Sequence, residues 1–177
     1  MKSLRVNNDL RKVKILKGKQ KMWIVLMIIF VLLSACSTKE DQQDYTLDTK
    51  IGQMLMFGFR GKEVNEEWVQ AIHSQISQYH LGGILVLGYN VRSPQQTDSL
   101  MTFLHSAPQQ FPVLFAIDQE GGLVQRLSKS KGFTGFPSAQ KVADSLSVEE
   151  AYEMYRDLAK ECKDYGFNYI LAPVVDV

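Results

Sequence analysis

Residues 112–127 read PVLFAIDQEGGLVQRL, and this stretch decides how the chain folds. Its first six residues are apolar, which is typical of a β-strand that is buried in a parallel sheet. Two carboxylates, two adjacent glycines and an arginine follow at once. Ligands bind at the carboxyl ends of parallel strands, so the change from apolar to polar residues at Asp118 predicts a functional site there.

Other predicted strands and helices alternate on both sides of this stretch. The predicted strands cover residues 53–59, 83–88, 112–117 and, from 167 onward, the end of the chain. Helical spacing of apolar residues predicts helices over residues 65–79, 93–105 and 147–166, with N-caps at Asn65, Ser93 and Ser147. Gln96 and Glu150 predict capping boxes at the second and third of these helices, and Gly166 is predicted to end the third. This order, β-α-β-α-β-α-β, predicts an α/β fold with a parallel sheet.

Two architectures satisfy this pattern: an open doubly wound sheet and a (β/α)8 TIM barrel. No G-x-G-x-x-G follows a strand, which disfavours the nucleotide-binding version of the open sheet. A barrel needs about four more strand–helix units than the sequence up to Val177 supplies. We therefore expect the N-terminal half of a barrel, truncated after strand four, as the front part of a longer protein or the product of a truncated gene. An unpaired fourth strand would promote aggregation.

The N-terminus differs in charge from the rest of the chain. Residues 1–36 carry eight of the 20 Lys and Arg residues and one acid, Asp9, so the rest of the chain is acidic although the whole has a net charge of +1. An acidic body argues against nucleic-acid binding. Residues 22–33 form an uncharged apolar run, which is shorter than the roughly 20 residues of a membrane span and typical of a signal peptide.

The sequence LSAC, residues 33–36, begins with the last residue of this apolar run and resembles a bacterial lipobox. The resemblance implies cleavage before Cys36, a lipid on its sulfur and a membrane-anchored protein of the cell envelope, outside the cytoplasm. An uncleaved signal anchor is the alternative. The predicted organisation is a lipoprotein signal peptide over 1–35, a polar tether over 36–49 and the folded body over 50–177. Cys162 then has no disulfide partner, and we expect it to be buried on a helix.

Asp118 and Arg126 are the candidate binding residues. A carboxylate accepts hydrogen bonds from hydroxyl groups, and a guanidinium donates several in a rigid fork, so together they suit a ligand rich in hydroxyls. The alternative is an ion pair that only stiffens a loop. The three histidines lie on or beside predicted helices and show no metal-binding spacing, so we expect neither a metal nor a cofactor: His73, His80 and His105.

The stretch IDQEGGLVQRL, residues 117–127, resembles the D-Q-E-G-G-R-V-Q-R-[LF] signature of family 3 glycoside hydrolases, in the β-N-acetylhexosaminidase branch. Further stretches resemble that family in the same order: IGQMLMFGFRG, LGGILVLGYNV and GFNYILAPVVDV. The resemblance implies a TIM barrel in which Asp118 and Arg126 bind hydroxyls of the terminal sugar, and in which Glu120 and Asp176 support the barrel mouth. Leu123 stands where the family has an arginine.

The same resemblance implies an activity and a substrate class. The activity is hydrolysis of terminal non-reducing β-linked N-acetylglucosamine by a retaining mechanism, on carbohydrate derived from chitin or peptidoglycan. We expect the nucleophile and the acid/base residue outside residues 1–177, so no catalytic residue is assigned here and the chain by itself is expected to be inactive. A β-glucosidase of the same family and a non-catalytic sugar-binding lipoprotein are the alternatives.

Overall fold

A computed structural model describes residues 45–173, which fold around a parallel sheet of four strands. The helices are α1 Leu47–Gln53, α2 Glu67–Gln78, α3 Pro94–His105, α4 Ala139–Ser145 and α5 Val148–Asp164. The strands are β1 Met56–Gly58, β2 Gly83–Val86, β3 Leu114–Ile117, β4 Gln119–Gly121, β5 Val124–Gln125 and β6 Tyr169–Ile170. A 3-10 turn covers Lys129–Lys131. The predicted α/β fold with a parallel sheet is confirmed.

The strand order in this sheet is β1-β2-β3-β6, and each neighbouring pair is parallel. Each connection therefore brings the chain to the next position in the sheet, and the order does not reverse within the described residues. A doubly wound sheet would reverse its order at a switch point. Because such crossovers are right-handed, successive connections in one direction place their helices on the same face of the sheet.

The main core fills the space between that face and α2, α3 and α5. Alternate strand residues point into it and are 0–1% exposed: Ile84, Val86, Phe115 and Ile117. The helices contribute apolar residues at helical spacing, none more than 4% exposed: Val69, Ile72, Ile76, Leu100, Met101, Leu104, Leu158 and Cys162. The apolar stripes that predicted these helices are therefore the surfaces that they bury.

The opposite face of the sheet is partly open. The strand register places Leu85, Ala116 and Tyr169 in one row on that face. Leu114 is 42% exposed and Tyr169 is 44% exposed. Among the described residues, helices thus cover only one of the two faces, which leaves Leu114 and Tyr169 partly exposed on the other.

Local capping signals position two of the three predicted helices. Ser93 caps α3 by accepting a hydrogen bond from the backbone N–H of Gln96 at 3.3 Å. At α5, the Ser147 hydroxyl accepts from the Glu150 N–H at 3.2 Å and the Glu150 carboxylate accepts from the Ser147 N–H at 2.8 Å, so the predicted capping box is complete. Gly166 follows α5 with a φ of 85°, as predicted for a residue that ends a helix in the left-handed region.

The start of α2 differs from its prediction. Its N-cap is Glu66 and not Asn65. The Glu66 carboxylate accepts hydrogen bonds from the backbone N–H groups of Lys62 and Glu63, at 3.2 and 3.0 Å, and so holds the preceding turn. These bonds lower the pKa of the Glu66 carboxyl. Asn65 is exposed and lies one residue before the N-cap, whereas the sequence predicted it to be the N-cap.

Helix α1 lies partly in the stretch predicted as a tether over 36–49. Thr46 caps it, and the strand predicted from residue 53 begins only at Met56. The helix packs closely on the turn before β2, where a Cβ built on Gly52 would lie 1.9 Å from the carbonyl oxygen of Tyr79.

The predicted signal peptide and Cys36 lie outside the described residues. Within 45–173, no helix has the length and apolar content needed to cross a membrane.

The cap of α5 gives a test of the fold. Replacing Ser147 with alanine leaves a helix N–H without its partner, so we expect the free energy of unfolding to fall by about 1 kcal/mol. Urea denaturation of the detergent-solubilised chain, followed by circular dichroism, measures this. Ser145→Ala, at an exposed position of α4, is the matched control and should change stability by less than about 0.5 kcal/mol. Equal stability of the two variants would show that the capping box does not position α5.

Candidate functional site

The candidate site is built where β3 ends. Asp118 follows the last residue of β3, and an antiparallel hairpin of β4 and β5 then turns the chain back. Arg126 follows the hairpin. Its Nη2 donates a hydrogen bond to Oδ2 of Asp118 at 2.6 Å, and its backbone N–H donates to the Asp118 carbonyl at 3.4 Å. The structure thus brings together the two predicted binding residues, which are eight positions apart in sequence.

This carboxylate–guanidinium pair is partly accessible. The side chain of Asp118 is 22% exposed and that of Arg126 is 29% exposed. The Nε of Arg126 is buried and has no hydrogen-bond partner among the described residues. A guanidinium has five N–H donors and a carboxylate has two oxygens, so one bond between them leaves several groups for a ligand. The pair can therefore accept hydrogen bonds from a polar ligand through Asp118 and donate them through Arg126.

Two glutamines of the motif hold the hairpin in shape. The amide of Gln119 is fully buried; its Nε2 donates to the Leu127 carbonyl and its Oε1 accepts from the Leu127 N–H, both at 3.0 Å. Gln125 donates to the Gly122 carbonyl at 2.8 Å and accepts from the Phe136 N–H at 2.9 Å. Sequence reasoning missed these residues, although two glutamines flanking a Gly-Gly turn were a signal of side chains that pair with backbone.

The two glycines have a structural explanation. Gly121 and Gly122 have φ angles of 88° and 63°, in the left-handed region that favours glycine. A Cβ on Gly121 would lie 2.1 Å from the carbonyl oxygen of Pro137. Glycine is therefore required at position 121 by the close approach of the chain's own backbone. Leu123 at the tip of the hairpin is completely exposed.

A second set of buried amides ties together the loops that follow β1 and β2. Asn90 is completely buried, and its Nδ2 donates to the carbonyls of Phe59 and Gly61 at 3.0 and 2.6 Å. The Nε2 of Gln96 donates to the carbonyls of Lys62 and Asn90 at 2.6 and 3.1 Å. The predicted capping box at α3 is incomplete, because Oε1 of Gln96 accepts from the N–H of Arg92 at 2.8 Å and not from that of Ser93. These amides fix the edge of the sheet at which the Asp118–Arg126 pair lies.

The remaining predicted site residues are less informative. Glu120 is half-buried on β4, and its supporting role stays a prediction. Asp176 lies outside the described residues, as does Cys36. In the part of the chain that the structure describes, no group of three or more His, Cys, Asp or Glu side chains could hold a metal ion. Cys162 is fully buried on α5, as predicted, and burial raises the pKa of its thiol to about 12, which leaves it unreactive.

Two of the histidines lie on helices, as predicted, and take part in helix packing. His73 on α2 stacks on Phe103, with ring centroids 4.2 Å apart. The ring of His105 on α3 lies against that of Phe115, with ring centroids 4.0 Å apart, and its Nε2 lies 2.8 Å from the Gly166 carbonyl oxygen. His80 follows the end of α2. The histidines therefore lie on or beside the helices, and the Asp118–Arg126 pair stands at the strand ends without them.

Fold and site together define a parallel α/β domain whose polar binding groups lie at the carboxyl end of a strand, the edge at which α/β enzymes bind their ligands. Residues 46–177 match the family model described as the glycosyl hydrolase family 3 N terminal domain. The chain belongs to this family, and the resemblance stated from its motifs is confirmed.

Three relatives illustrate the similarity. Beta-hexosaminidase A of Pseudoalteromonas piscicida is 32% identical over 154 residues, which are 77% of this chain and 26% of that protein. Beta-hexosaminidase LpqI of Mycobacterium tuberculosis is 30% identical over 135 residues, 72% of this chain and 30% of that protein. The structure of a family 3 beta-N-acetylglucosaminidase from a Paenibacillus species matches with a TM-score of 0.63 and 31% identity, over 76% of this chain and 25% of that one. The chain spans about a quarter to a third of the length of these relatives.

The buried amide of Gln119 gives a test of the site's construction. Replacing it with leucine leaves the N–H and the carbonyl of Leu127 without partners, and each such buried group costs about 1–3 kcal/mol. We therefore expect Gln119→Leu to lower the free energy of unfolding by about 3 kcal/mol, measured by urea denaturation. The control is Gln140→Leu, at an exposed position of α4. If both variants were as stable as the parent chain, the Gln119 bonds would not support the hairpin.

Proposed function

We propose that this chain is the N-terminal part of a retaining β-N-acetylhexosaminidase, which removes terminal non-reducing β-linked N-acetylglucosamine from glycans derived from chitin or peptidoglycan. The pairing of Asp118 with Arg126 at the end of β3 carries this proposal. Membership of family 3 supports the reaction class. The named relatives, which are β-hexosaminidases, support the choice of sugar over the glucose of a β-glucosidase.

The proposed role of the pair is to bind hydroxyl groups of the terminal sugar. Neighbouring hydroxyls on a sugar ring both donate and accept hydrogen bonds, as the carboxylate and the guanidinium together require. The ion pair already holds both side chains in place, so little side-chain entropy is lost when a ligand binds. The accessibility of both side chains favours this role over an ion pair that only stiffens a loop.

The proposed reaction proceeds in two displacements. An enzyme carboxylate attacks the anomeric carbon while an acid protonates the departing glycosidic oxygen, which gives a glycosyl-enzyme intermediate. Water, deprotonated by the same acid/base group, then attacks the anomeric carbon and releases the sugar. Asp118 is assigned to binding and not to attack, because the family resemblance places the nucleophile outside residues 1–177. Its contribution is to fix the ring on which the reaction occurs.

We also propose that residues 50–177 form the first half of a (β/α)8 barrel. The sequential strand order, β1-β2-β3-β6, supports this arrangement, because a barrel adds its strands in the order of the chain. The partly open face supports it too, since a closed barrel would cover Leu114 and Tyr169. Phe57 on the edge strand β1 is 45% exposed and would be covered by a further strand–helix unit.

Anchoring through Cys36 is the last part of the proposal. The basic N-terminus, the apolar run over residues 22–33 and the sequence LSAC support a lipid-anchored protein of the bacterial cell envelope. A glycosidase at that location would act on glycans outside the cytoplasm.

Binding of sugar to the chain tests the proposed function. We expect N-acetylglucosamine to bind the detergent-solubilised chain more tightly than glucose, measured by ligand-observed NMR titration. Asp118→Ala should weaken that binding about 10- to 100-fold, since a hydrogen bond to a charged group contributes roughly 1.5–3 kcal/mol. Asp144→Ala, at an exposed position of α4, is the control. Tighter binding of glucose would favour a β-glucosidase, and unchanged binding by Asp118→Ala would make the pair a loop brace.

Anchoring has a separate test. Expressed in a bacterial host, the chain should lose residues 1–35 and gain the mass of a diacylglycerol at Cys36. Cys36→Ser should retain its N-terminal residues and carry no lipid, because the thiolate is the group that is alkylated. Cys162→Ser should be processed like the parent chain. Intact-mass spectrometry distinguishes these products, and an uncleaved, unlipidated parent chain would favour the signal-anchor alternative.

A further inference from the structure

Lys131 lies next to the candidate site and has a partly buried ammonium group. It ends the 3-10 turn, and its Nζ donates a hydrogen bond to the carbonyl of Gly88 at 2.6 Å, across 43 residues of sequence. The same nitrogen lies 3.5 Å from the carbonyl oxygen of Arg126. Lysine is among the residues least often buried, so an ammonium that is held by backbone carbonyls needs an explanation.

The two carbonyls belong to the two segments that meet at the site. Gly88 lies just beyond β2, the strand that pairs with β3. Arg126 begins the segment that leaves β5. A Cβ built on Gly88 would lie 3.4 Å from Cδ of Arg126, so the arginine side chain runs past Gly88 on its way to Asp118. Lys131 and Arg126 therefore both contact the end of β2.

This arrangement has an electrostatic cost. Burial, and then the charge of Arg126, lower the pKa of Lys131 from its usual value. Among the salt bridges of the described residues, Asp118 pairs with Arg126 and none includes Lys131. A neutral side chain would fill the same space without that repulsion. What an ammonium adds is the ability to donate to two carbonyls at once.

We propose that Lys131 is a positioning residue of the sugar site, which ties the backbone of Arg126 to the end of β2 and so directs its guanidinium to Asp118. This inference rests on the proposed sugar-binding role of the Asp118–Arg126 pair. Groups that are held in their binding geometry before a ligand arrives bind it more tightly, because ordering them costs no further entropy. Loss of Lys131 leaves the ion pair possible but widens the range of positions of Arg126.

Two measurements on the detergent-solubilised chain test this role. The first is the affinity for N-acetylglucosamine. The second is the NMR cross-peak of the Arg126 Nε–H group, which is buried and is assigned by its loss in Arg126→Lys. Lys131→Met should weaken sugar binding about five- to tenfold, which corresponds to about one neutral hydrogen bond, and should broaden or shift that cross-peak. Lys131→Arg, which keeps the charge and the donors, should restore both.

Lys129→Met is the matched control, because Lys129 is an exposed lysine on the same turn. It should leave the affinity and the Arg126 cross-peak unchanged. If Lys131→Met fails to fold, as judged by circular dichroism, Lys131→Gln takes its place, with a smaller loss expected because the amide retains a donor. An unchanged cross-peak and affinity in the substituted chain would overturn the inference. If the parent chain binds no sugar, the proposed function fails, and the cross-peak alone decides the role of Lys131.

Discussion

Buried backbone groups must be paired, and at the carboxyl ends of these strands side-chain amides provide the partners. The strands stop there, so their backbone leaves the hydrogen-bonded ladder while it is still inside the protein. Asn90 and Gln96 pair with carbonyls of the loop after β1, and Gln119 pairs with both backbone groups of Leu127. The position of Arg126 depends on this last pairing, since Leu127 is its neighbour in the chain. Neutral side-chain amides thus hold the backbone that positions the charged groups of the site.

Sequence predicted the features that depend on local interactions. The caps at Ser93 and Ser147 and the glycine after α5 follow from residues within one helical turn. The apolar runs predicted the order of strands and helices, because burial of a continuous surface requires them. The error at α2 has a local cause as well. Glu66 reaches back to the N–H groups of Lys62 and Glu63, and this backward contact competes with the usual preference for asparagine at an N-cap.

The structure of the site was predictable in part. Asp118 and Arg126 could be predicted as a pair of binding residues, because they follow an apolar strand and are only eight positions apart. The partners of Asn90 and Gln96 could not be predicted, because they lie about 30 residues away along the chain and come close only when β1 and β2 pair. The contact of Lys131 with Gly88 could not be predicted either, because it forms only when β2 and β3 pair. A polar residue in a loop carries no periodic signal, so its tertiary partner is not encoded in any pattern of its neighbours.

The hairpin and the sheet differ in how far they depend on other parts of the molecule. The hairpin is closed by contacts within residues 118–138: the ion pair, the two glutamines and the approach of Pro137 to Gly121. The sheet, by contrast, has the partly exposed Phe57 and Tyr169 on its two outer strands, β1 and β6. The Asp118–Arg126 pair is thus held mainly by contacts within the hairpin, to which Lys131 adds a contact with Gly88. Phe57 and Tyr169 on the sheet, by contrast, stay partly exposed. The proposed binding pair can therefore form within this chain.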